Sequence, residues 1–379
     1  MENILFPFWM EIDAQNLHNN VEVLKRWSPS SSLMAVVKSE AYGHGWEAVN
    51  LLYDYGLRKF GVASVEEAHE LRKRGIKGDI YLLGGFFTEE AEMILEDGLT
   101  PVVSSPKELQ ALEELARKAD KIIPFHLKVD TGMGRMGFLP QEINGEWWKR
   151  WGNNCHLSLR GVMTHFASAE SDPAYTHFQF DNFLSFLGRL PENNPSRERH
   201  CCNSAAFLAF PEMHLDLSRV GIAFWGVSPW GRKATLPLDL KPVMRIKARV
   251  KQVKTLPPGF SVGYGGTFTT SRETKIAIIS IGYSQGLFRS LSNRMEVLVR
   301  GKRAPSRGNI SMDQMTVEVT GIEGVEKGDI ATVVGKEGKE EVTIEEIADL
   351  AHTVPHEVLC SLGKIKNRMI YENHCSLAK

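Results

Sequence analysis

With 379 residues, the chain is longer than one ordinary domain and long enough for two that each bury a hydrophobic core. It carries 45 basic and 46 acidic residues, which gives a net charge of 45 − 46 = −1. This balance excludes a broad basic surface, so we expect no nucleic acid and no anionic membrane as a partner. A globular protein that acts on small molecules is the favoured class.

The cysteines and the N-terminal segment indicate a cytoplasmic protein. The apolar run ILFPFWM has no basic residue before it and is followed by Glu11 and Asp13, which is not typical of a signal peptide. No apolar stretch approaches the length that spans a membrane. The cysteines are odd in number and lack CxxC spacing, so we expect reduced thiols at Cys155, Cys201, Cys202, Cys360 and Cys375.

The first part of the chain alternates short apolar runs with amphipathic helical segments. Eight such runs, fairly continuous in apolar character, predict a parallel (β/α)8 barrel of the TIM type over residues 1–236. Helix signals lie between them, as in SVEEAHELRKRG, where Ser64 precedes an acidic first turn and Gly75 ends the pattern. The predicted strands are 34–38, 60–64, 80–84, 99–105, 124–130, 159–166, 199–203 and 214–220.

From residue 237 to residue 379 the pattern changes to a mostly β domain. The segment VMRIKARVKQVKTL alternates apolar and basic residues at period two, and further short β-branched runs follow with Gly and Pro between them. One late helix is predicted to begin at the capping box Thr343 to Glu346.

Polar residues stand where several of the predicted barrel strands end. Active sites of this fold form at the carboxyl ends of the strands and in the loops that follow. One lysine or histidine at such a position is more often a solvated or structural side chain, but several at the ends of different strands favour a site. The residues that meet this condition are Lys38, Lys128, Asp130, His165, Asn203, Ser204, Arg219 and Gly221.

Lys38 and the last two barrel loops narrow the chemistry. A lysine that is partly desolvated and near other cations has a lowered pKa and becomes a Schiff-base nucleophile toward an aldehyde. The loops after strands seven and eight of such barrels bind phosphate, and here they contain the Ser204 hydroxyl and a close backbone approach at Gly221. A cofactor that is both an aldehyde and a phosphate is pyridoxal 5′-phosphate (PLP).

Other cofactors have less support. No GxxxxGK[ST] segment occurs, which disfavours a P-loop. His126, His165 and His200 lack the close-spaced partners of a zinc site, so we expect no metal.

Ten segments of the chain resemble, in order, those of the alanine racemases, PLP-dependent enzymes that interconvert L- and D-alanine for bacterial cell-wall synthesis. The matches extend over nearly the whole chain, and ten in one order are highly specific. They are WMEIDAQNLHNN, AVVKSEAYGHG, KVDTGMGRMGF, MTHFASAE, CNSAA, RVGIAFWG, VGYGGTF, IGYSQGLFRSLSN, GNISMDQ and HEVLCSLG.

The resemblance implies a role for each matching residue. Lys38 would carry PLP as an aldimine and act as acid or base on the D side, and Tyr264, from the partner subunit of a homodimer, would act on the L side. Arg135 would bind the substrate carboxylate and the phenolic oxygen of the cofactor, and Lys128 is the position that is often carbamylated. The other residues implied are Tyr42, His165, Asn203, Ser204, Arg219, Gly221, Ile222 and His356 for the cofactor, and Met312 and Asp313 of the partner subunit for the substrate.

Arg219 would face the pyridine nitrogen of the cofactor and hydrogen-bond to His165. An arginine there keeps the nitrogen unprotonated, which weakens the electron sink and suppresses transamination. Inversion of a stereocentre needs a proton acceptor on one face and a donor on the other, so Lys38 and Tyr264 are a natural pair.

At one position the chain departs from the family, which commonly has tyrosine where His356 stands. The shorter side chain predicts a slightly wider pocket and some turnover of serine or another small amino acid. Two alternatives stay open: a PLP-dependent racemase or decarboxylase of the same barrel type with broader or different specificity, including larger basic amino acids, and a non-catalytic, single-domain PLP-homeostasis protein. The second domain and Tyr264 count against the latter.

Overall fold

The computed structural model describes residues 6–152, 154–191, 198–234 and 236–371. The described residues form two compact units. The first, here called the barrel unit, comprises Val21–Ala41 and Val49–Phe224, and the second, the β unit, lies within Met1–Asn20, Tyr42–Ala48 and Trp225–Lys379. The units interleave along the chain, and the domain boundary at residue 236 stays a prediction.

The barrel unit contains the eight predicted parallel strands. Seven neighbouring pairs are hydrogen-bonded in the order 7-6-5-4-3-2-1-8. The two end strands are joined by backbone hydrogen bonds from Asp216 N to Arg199 O (3.1 Å) and from Arg219 N to Cys202 O (3.1 Å), which closes the sheet. The strands are Ser32–Val36, Lys59–Val62, Asp79–Leu82, Thr100–Val103, Ile123–Lys128, Leu157–Met163, Glu198–His200 and Leu217–Val220.

A helical segment follows each barrel strand, as the alternating pattern predicts. Ser64 caps the helix Val65–Lys73 by accepting from Glu67 N at 3.4 Å, and Ser105 caps Pro106–Ala119 by accepting from Glu108 N at 3.3 Å. The other segments are Trp46–Asp54, Ala91–Glu96, Gly145–Trp147 with Trp148–Gly152, Pro173–Leu187, Ser204–Ala209 and Ile222–Trp225, while Ala14–Trp27 precedes the first strand.

The β unit is built on a nine-stranded sheet. Its main path, edge to edge, runs Lys302–Pro305, Glu296–Val299, Ile330–Glu337, Met244–Leu256, Phe8–Asp13 and Arg368–Tyr371. The N-terminal strand Phe8–Asp13 pairs antiparallel with the long central strand, with Phe8 opposite Ala248. The other strands of this unit are Thr274–Ile279, Met315–Glu318, Glu340–Val342, Ser261–Val262 and Phe268–Thr269.

Two helices complete the β unit. Ile344–Ala351 begins at the predicted cap, where Thr343 Oγ1 accepts from Glu346 N at 3.1 Å. A second helix, Pro355–Leu362, was not expected from the sequence, and its start is favoured by proline at the first turn. The fold class expected from the sequence, a barrel of parallel strands with a C-terminal mostly-β domain, is confirmed.

No described helix has the length and apolar character needed to cross a membrane. The structure holds Cys155, Cys201, Cys202 and Cys360 as thiols, and Cys375 lies outside the described residues.

Candidate active site

The predicted site residues of the barrel unit lie at the carboxyl ends of its strands. Lys128 is the last residue of Ile123–Lys128, and Lys38 and His165 follow their strands by two residues. Ser204 begins the helix after the seventh strand, and Arg219 is in the eighth. Because parallel strands of a closed sheet end on one side, these residues share one mouth of the barrel.

Arg219 is the buried centre of this group. This residue is only 3% exposed, and its guanidinium donates to Thr164 O at 2.9 Å and to Cys201 O at 3.0 Å. Its Nη2 also lies 3.0 Å from His165 Nδ1, the hydrogen bond that the sequence analysis expected. Burial lowers the pKa of Arg219 to about 10, so it stays cationic at neutral pH.

Four cations act on the half-buried His165 imidazole. Burial lowers its pKa well below the usual value, and the charges of Arg219, Lys128, Arg135 and Lys38 lower it further. His165 is therefore neutral at physiological pH and accepts from Arg219 through Nδ1. A concentration of positive charge of this kind favours a bound anion.

Lys128 is also buried, with 5% of its surface exposed. Burial lowers its pKa to about 8, and the charges of Arg219 and Arg135 act in the same direction, while Asp130 and Glu108 oppose them. A substantial fraction of this amine is thus uncharged near pH 7.5, which is the nucleophilic form.

The loop after Lys128 is organised by the Asp130 carboxylate. It accepts from the backbone N–H groups of Gly132 (2.9 Å), Met133 (2.7 Å) and Arg135 (3.1 Å). Burial opposes ionisation of Asp130, but these donors lower its pKa overall. Arg135 is exposed, and Asp130 fixes its backbone.

Ser204 and Gly221 bring the last two barrel loops together. The backbone N–H of Gly221 donates to Ser204 Oγ at 2.9 Å, and Ile222 follows at the start of the segment Ile222–Trp225. Asn203 caps the helix Ser204–Ala209 by accepting from Ala206 N at 2.9 Å, so its side chain has a structural task.

Lys38 opens an unusual turn, Lys38–Tyr42. Ser39, Glu40, Ala41 and Tyr42 all have φ between 50° and 58°, a left-handed conformation that L-residues rarely adopt in succession. Lys38 is exposed in the described chain, whereas the sequence analysis expected a partly desolvated lysine. The strand ends at Val36, so the position of Lys38 is set by the turn and not by the strand.

Glu67 supports this turn, a role that sequence reasoning missed. Its carboxylate accepts from Ser39 N at 2.6 Å and from Ala63 N at 2.8 Å. The available signal was its place three residues after the cap Ser64, which predicts a carboxylate facing back toward the preceding loop.

Tyr42 and His356 are neighbours within the β unit. Their ring centroids lie 5.9 Å apart at an angle of 50°, with His356 half-buried in the first turn of Pro355–Leu362. The departure from the family at residue 356 therefore lies beside another predicted cofactor residue.

The remaining predicted residues lie on exposed loops of the β unit. Tyr264 is 73% exposed, and its carbonyl accepts from Asn309 Nδ2 at 2.8 Å. Met312 is 55% exposed, and the adjacent Asp313 accepts from Ser284 Oγ at 2.8 Å. These loops are thus held by hydrogen bonds, while the side chains that the sequence analysis predicts to be functional are exposed.

Comparison with known proteins gives one consistent family. The model of the alanine racemase N-terminal domain matches residues 12–229, and that of the C-terminal domain matches residues 243–370. The alanine racemase of Methanococcus maripaludis is 39% identical over 361 residues, which is 94% of this chain and 96% of that protein. The chain belongs to the alanine racemase family.

Solved structures agree with this assignment. The alanine racemase of E. faecalis superposes with a TM-score of 0.91 at 33% identity, covering 97% of this chain and 99% of that one. The enzyme from Bartonella henselae, whose structure has covalently bound pyridoxal phosphate, gives 0.86 at 30% identity, covering 97% of this chain and 100% of that chain. Alanine racemases are isomerases, so the expected enzyme class is confirmed, and both domain matches disfavour a single-domain homeostasis protein.

Proposed function

We propose that this chain is a PLP-dependent racemase that interconverts L- and D-alanine and supplies D-alanine for peptidoglycan. The observation that carries the proposal is the direct contact of Arg219 with the neutral His165 imidazole at the barrel mouth, where the charges of Lys38, Lys128 and Arg135 also act. Family membership supports the reaction, and the charge of this cluster supports an anionic cofactor and an anionic substrate.

The residues present fit a phosphorylated aldehyde. Lys38 is the amine that would hold it covalently, and Ser204, whose Oγ accepts from Gly221 N, would offer its hydroxyl proton to the phosphate at a helix start. Ile222, Asn203, Tyr42 and His356 are the further proposed cofactor residues. When bound, PLP acidifies the α-proton of an attached amino acid by withdrawing electron density.

The side chains of the protein then move that proton. Lys38 Nζ takes or returns it on the D side, and Tyr264 Oη does so on the L side, so no single group needs to cross the substrate plane. Arg135 binds the carboxylate with its charge, and Lys128 orients Arg135. Arg219, held by His165, presents a fixed positive charge to the ring nitrogen of the cofactor.

A homodimer with shared sites completes the proposal. Tyr264 and Met312 are large side chains that a monomer leaves mostly exposed. In the dimer, the substrate of one subunit would be contacted by Tyr264, Met312 and Asp313 of the partner subunit. This contact explains why these side chains are exposed in one chain, and association would bury apolar surface.

The test uses purified protein with PLP and either L- or D-alanine in D2O. We expect both enantiomers to racemise with exchange of the α-proton. In Tyr264→Phe, we expect D-alanine to keep exchanging through Lys38 without inversion, while exchange from L-alanine falls by about 100-fold or more. Tyr371→Phe, an exposed tyrosine of the same unit, is the control and should behave as the wild type. Absence of D-alanine from the wild-type reaction with L-alanine would refute the proposed function.

His356 favours a second candidate, a racemase of broader specificity. Histidine is shorter than the tyrosine common in the family, and here it packs 5.9 Å from the ring of Tyr42. We therefore expect measurable racemisation of L-serine, and we expect His356→Tyr to lower the serine-to-alanine ratio of kcat/KM by about three- to tenfold. An unchanged ratio would show that residue 356 does not set the width of the pocket.

A further inference from the structure

A chain of polar side chains inside the barrel unit leads away from Arg219. Its Nη1 donates to His200 Nδ1 at 3.1 Å, and His200 Nε2 lies 2.8 Å from His126 Nδ1. His126 Nε2 in turn lies 3.8 Å from Glu198 Oε2, which is close but beyond hydrogen-bond distance. Both imidazoles are buried, with at most 1% of their surface exposed.

The direction of these hydrogen bonds follows from Arg219. A guanidinium only donates, so His200 Nδ1 must accept and the proton of neutral His200 must be on Nε2. His126 Nδ1 then accepts from it and carries its own proton on Nε2, which faces Glu198. Burial, with nearby cations, lowers the pKa of His126 to about 3 and that of His200 well below its usual value, so both rings are neutral.

Two further side chains, Lys59 and Tyr81, bind the Glu198 carboxylate. Lys59 Nζ pairs with Glu198 Oε1, and Tyr81 Oη donates to Oε2 at 3.1 Å. Burial and the charge of Glu198 raise the pKa of Tyr81, so the phenol stays protonated and remains a donor. A carboxylate accepts only, so Glu198 is the anion at this end of the chain and is held there by Lys59 and Tyr81.

The backbone makes room for this arrangement. A Cβ at Gly161 would lie 2.4 Å from His126 Cε1 and 2.6 Å from Nε2, so only glycine fits opposite the ring. The strand Leu157–Met163, which contains Gly161, pairs with Ile123–Lys128. The register of this pair shifts between Phe125 and His126, and such an irregularity can redirect a side chain.

Arg219 lacks a direct counter-ion among the described residues. Its hydrogen-bond partners there are the carbonyls of Thr164 and Cys201 and the imidazoles of His165 and His200. A buried cation without a nearby anion is costly, and hydrogen-bonded chains transmit polarisation from one member to the next. The nearest anion on this path is Glu198, two imidazoles away.

We propose that Glu198 and His126 are positioning residues for Arg219, acting through His200. The carboxylate, which lies close to His126 Nε2, polarises both rings so that His200 Nδ1 becomes a stronger acceptor, which orients the guanidinium. This inference rests on the proposed function, in which Arg219 faces the ring nitrogen of the cofactor. Glu198, His126 and His200 themselves touch neither cofactor nor substrate in this proposal.

The decisive variant is Glu198→Gln, which keeps size and an acceptor but removes the charge. We expect kcat for alanine to fall about five- to tenfold with KM changed less than twofold, because Arg219 is disturbed and the substrate contacts are not. Tyr81→Phe, which removes one donor to Glu198, should lower kcat in the same direction by a smaller factor. Glu212→Gln, an exposed carboxylate of the same unit, is the control and should leave both constants unchanged.

A second readout needs no bound cofactor. In protein labelled with 15N-histidine, long-range NMR correlations report which ring nitrogen carries the proton, and we expect Nε2–H on both His126 and His200. Glu198→Gln should shift the nitrogen resonances of both rings, and Glu212→Gln should not. A proton on Nδ1 of either ring, or unchanged resonances in Glu198→Gln, would overturn the inference.

The two proposals fail differently. A wild type that racemises alanine while Glu198→Gln matches it in kcat refutes the positioning role and leaves the proposed function standing. A wild type without racemase activity refutes the proposed function, and the NMR experiment still decides whether the side-chain chain has the stated direction.

Discussion

Several side chains at the barrel mouth carry positive charge. Lys38, Lys128, Arg135 and Arg219 all lower the pKa of His165, and the net effect of the local charges is to make protonation there unfavourable. A cluster of like charges is favourable when a bound anion compensates it. The charge of these side chains is therefore the strongest local indication of a phosphate or carboxylate ligand.

Lys128 gives the first prediction. Its pKa of about 8 leaves enough neutral amine near pH 7.5 to react with CO2 and form a carbamate, whose negative charge would orient Arg135. In 13C-bicarbonate we expect a carbamate resonance by NMR, which increases with pH at constant dissolved CO2 until the amine is fully deprotonated.

Lys128→Met should abolish this resonance, and Lys121→Met, an exposed lysine of the same unit, should leave it. A resonance of equal intensity in Lys128→Met would show that another amine reacts.

Among the local elements, the left-handed turn Lys38–Tyr42 is the one that places a reactive group. Each of its four residues with positive φ costs free energy on the order of 1 kcal/mol, so the turn persists only where its surroundings hold it. Ala41 N donates to Val37 O at 2.8 Å, and Glu67 holds Ser39 from outside the turn.

The second prediction concerns Glu67. Glu67→Ala removes a charge-assisted acceptor for two backbone N–H groups, which is worth about 1.5 to 3 kcal/mol. We expect the turn to loosen, the affinity for PLP to fall about tenfold and kcat to fall with it, as measured by cofactor titration and steady-state kinetics.

Glu66→Ala changes the adjacent, exposed carboxylate of the same helix turn and serves as the control. Equal loss in both variants would mean that the helix, not the contact with Ser39, is responsible.

The closed parallel barrel explains how the chain as a whole tolerates polar side chains in its interior. In the part of the barrel sheet that the structure describes, closure leaves no free strand edge, so the interior is enclosed by backbone hydrogen bonds and can hold imidazoles in a neutral state. Buried histidines that stay neutral destabilise the folded state at acidic pH.

This cost gives the third prediction. The folded-state pKa of His126 is about 3, against an ordinary value of 6.5, so between these values the unfolded chain binds more protons than the folded one. Stability is therefore lost as pH falls through this window, by about 1 kcal/mol per pH unit for each such histidine. We expect the midpoint of thermal unfolding to decrease between pH 6.5 and pH 4 by less in His126→Gln than in the wild type.

The control is His177→Gln, which changes a half-exposed histidine and should reproduce the wild-type decrease. An equal decrease in all three proteins would exclude His126 as the source.

Shared active sites give the fourth prediction. Lys38→Ala and Tyr264→Phe should each be inactive in racemisation, but subunit exchange between them forms hybrid dimers. If Tyr264 of the partner subunit completes each site, every hybrid contains one intact site, and random exchange should restore about one quarter of wild-type activity. Sites contained within one chain would give no recovery, because each chain lacks one of the two groups.

The eight barrel strands, the change to a mostly β domain and the family could be predicted from the amino-acid sequence, because period-two and period-3.6 patterns and ordered motifs are local properties of the chain. The positions of Lys38, His165, Ser204 and Arg219 at strand ends were predictable in the same way. The pairing of Phe8–Asp13 with the sheet of the β unit became evident from the fold, since strand pairing at a separation of more than 230 residues leaves no local signal.

The same reason applies to the chain of His200, His126 and Glu198. Each is an ordinary strand residue in the sequence, and only closure of the barrel brings the three together behind Arg219. Burial, which sets the pKa of Lys128 and the neutrality of the imidazoles, is likewise a property of the folded interior and not of neighbouring residues in the chain.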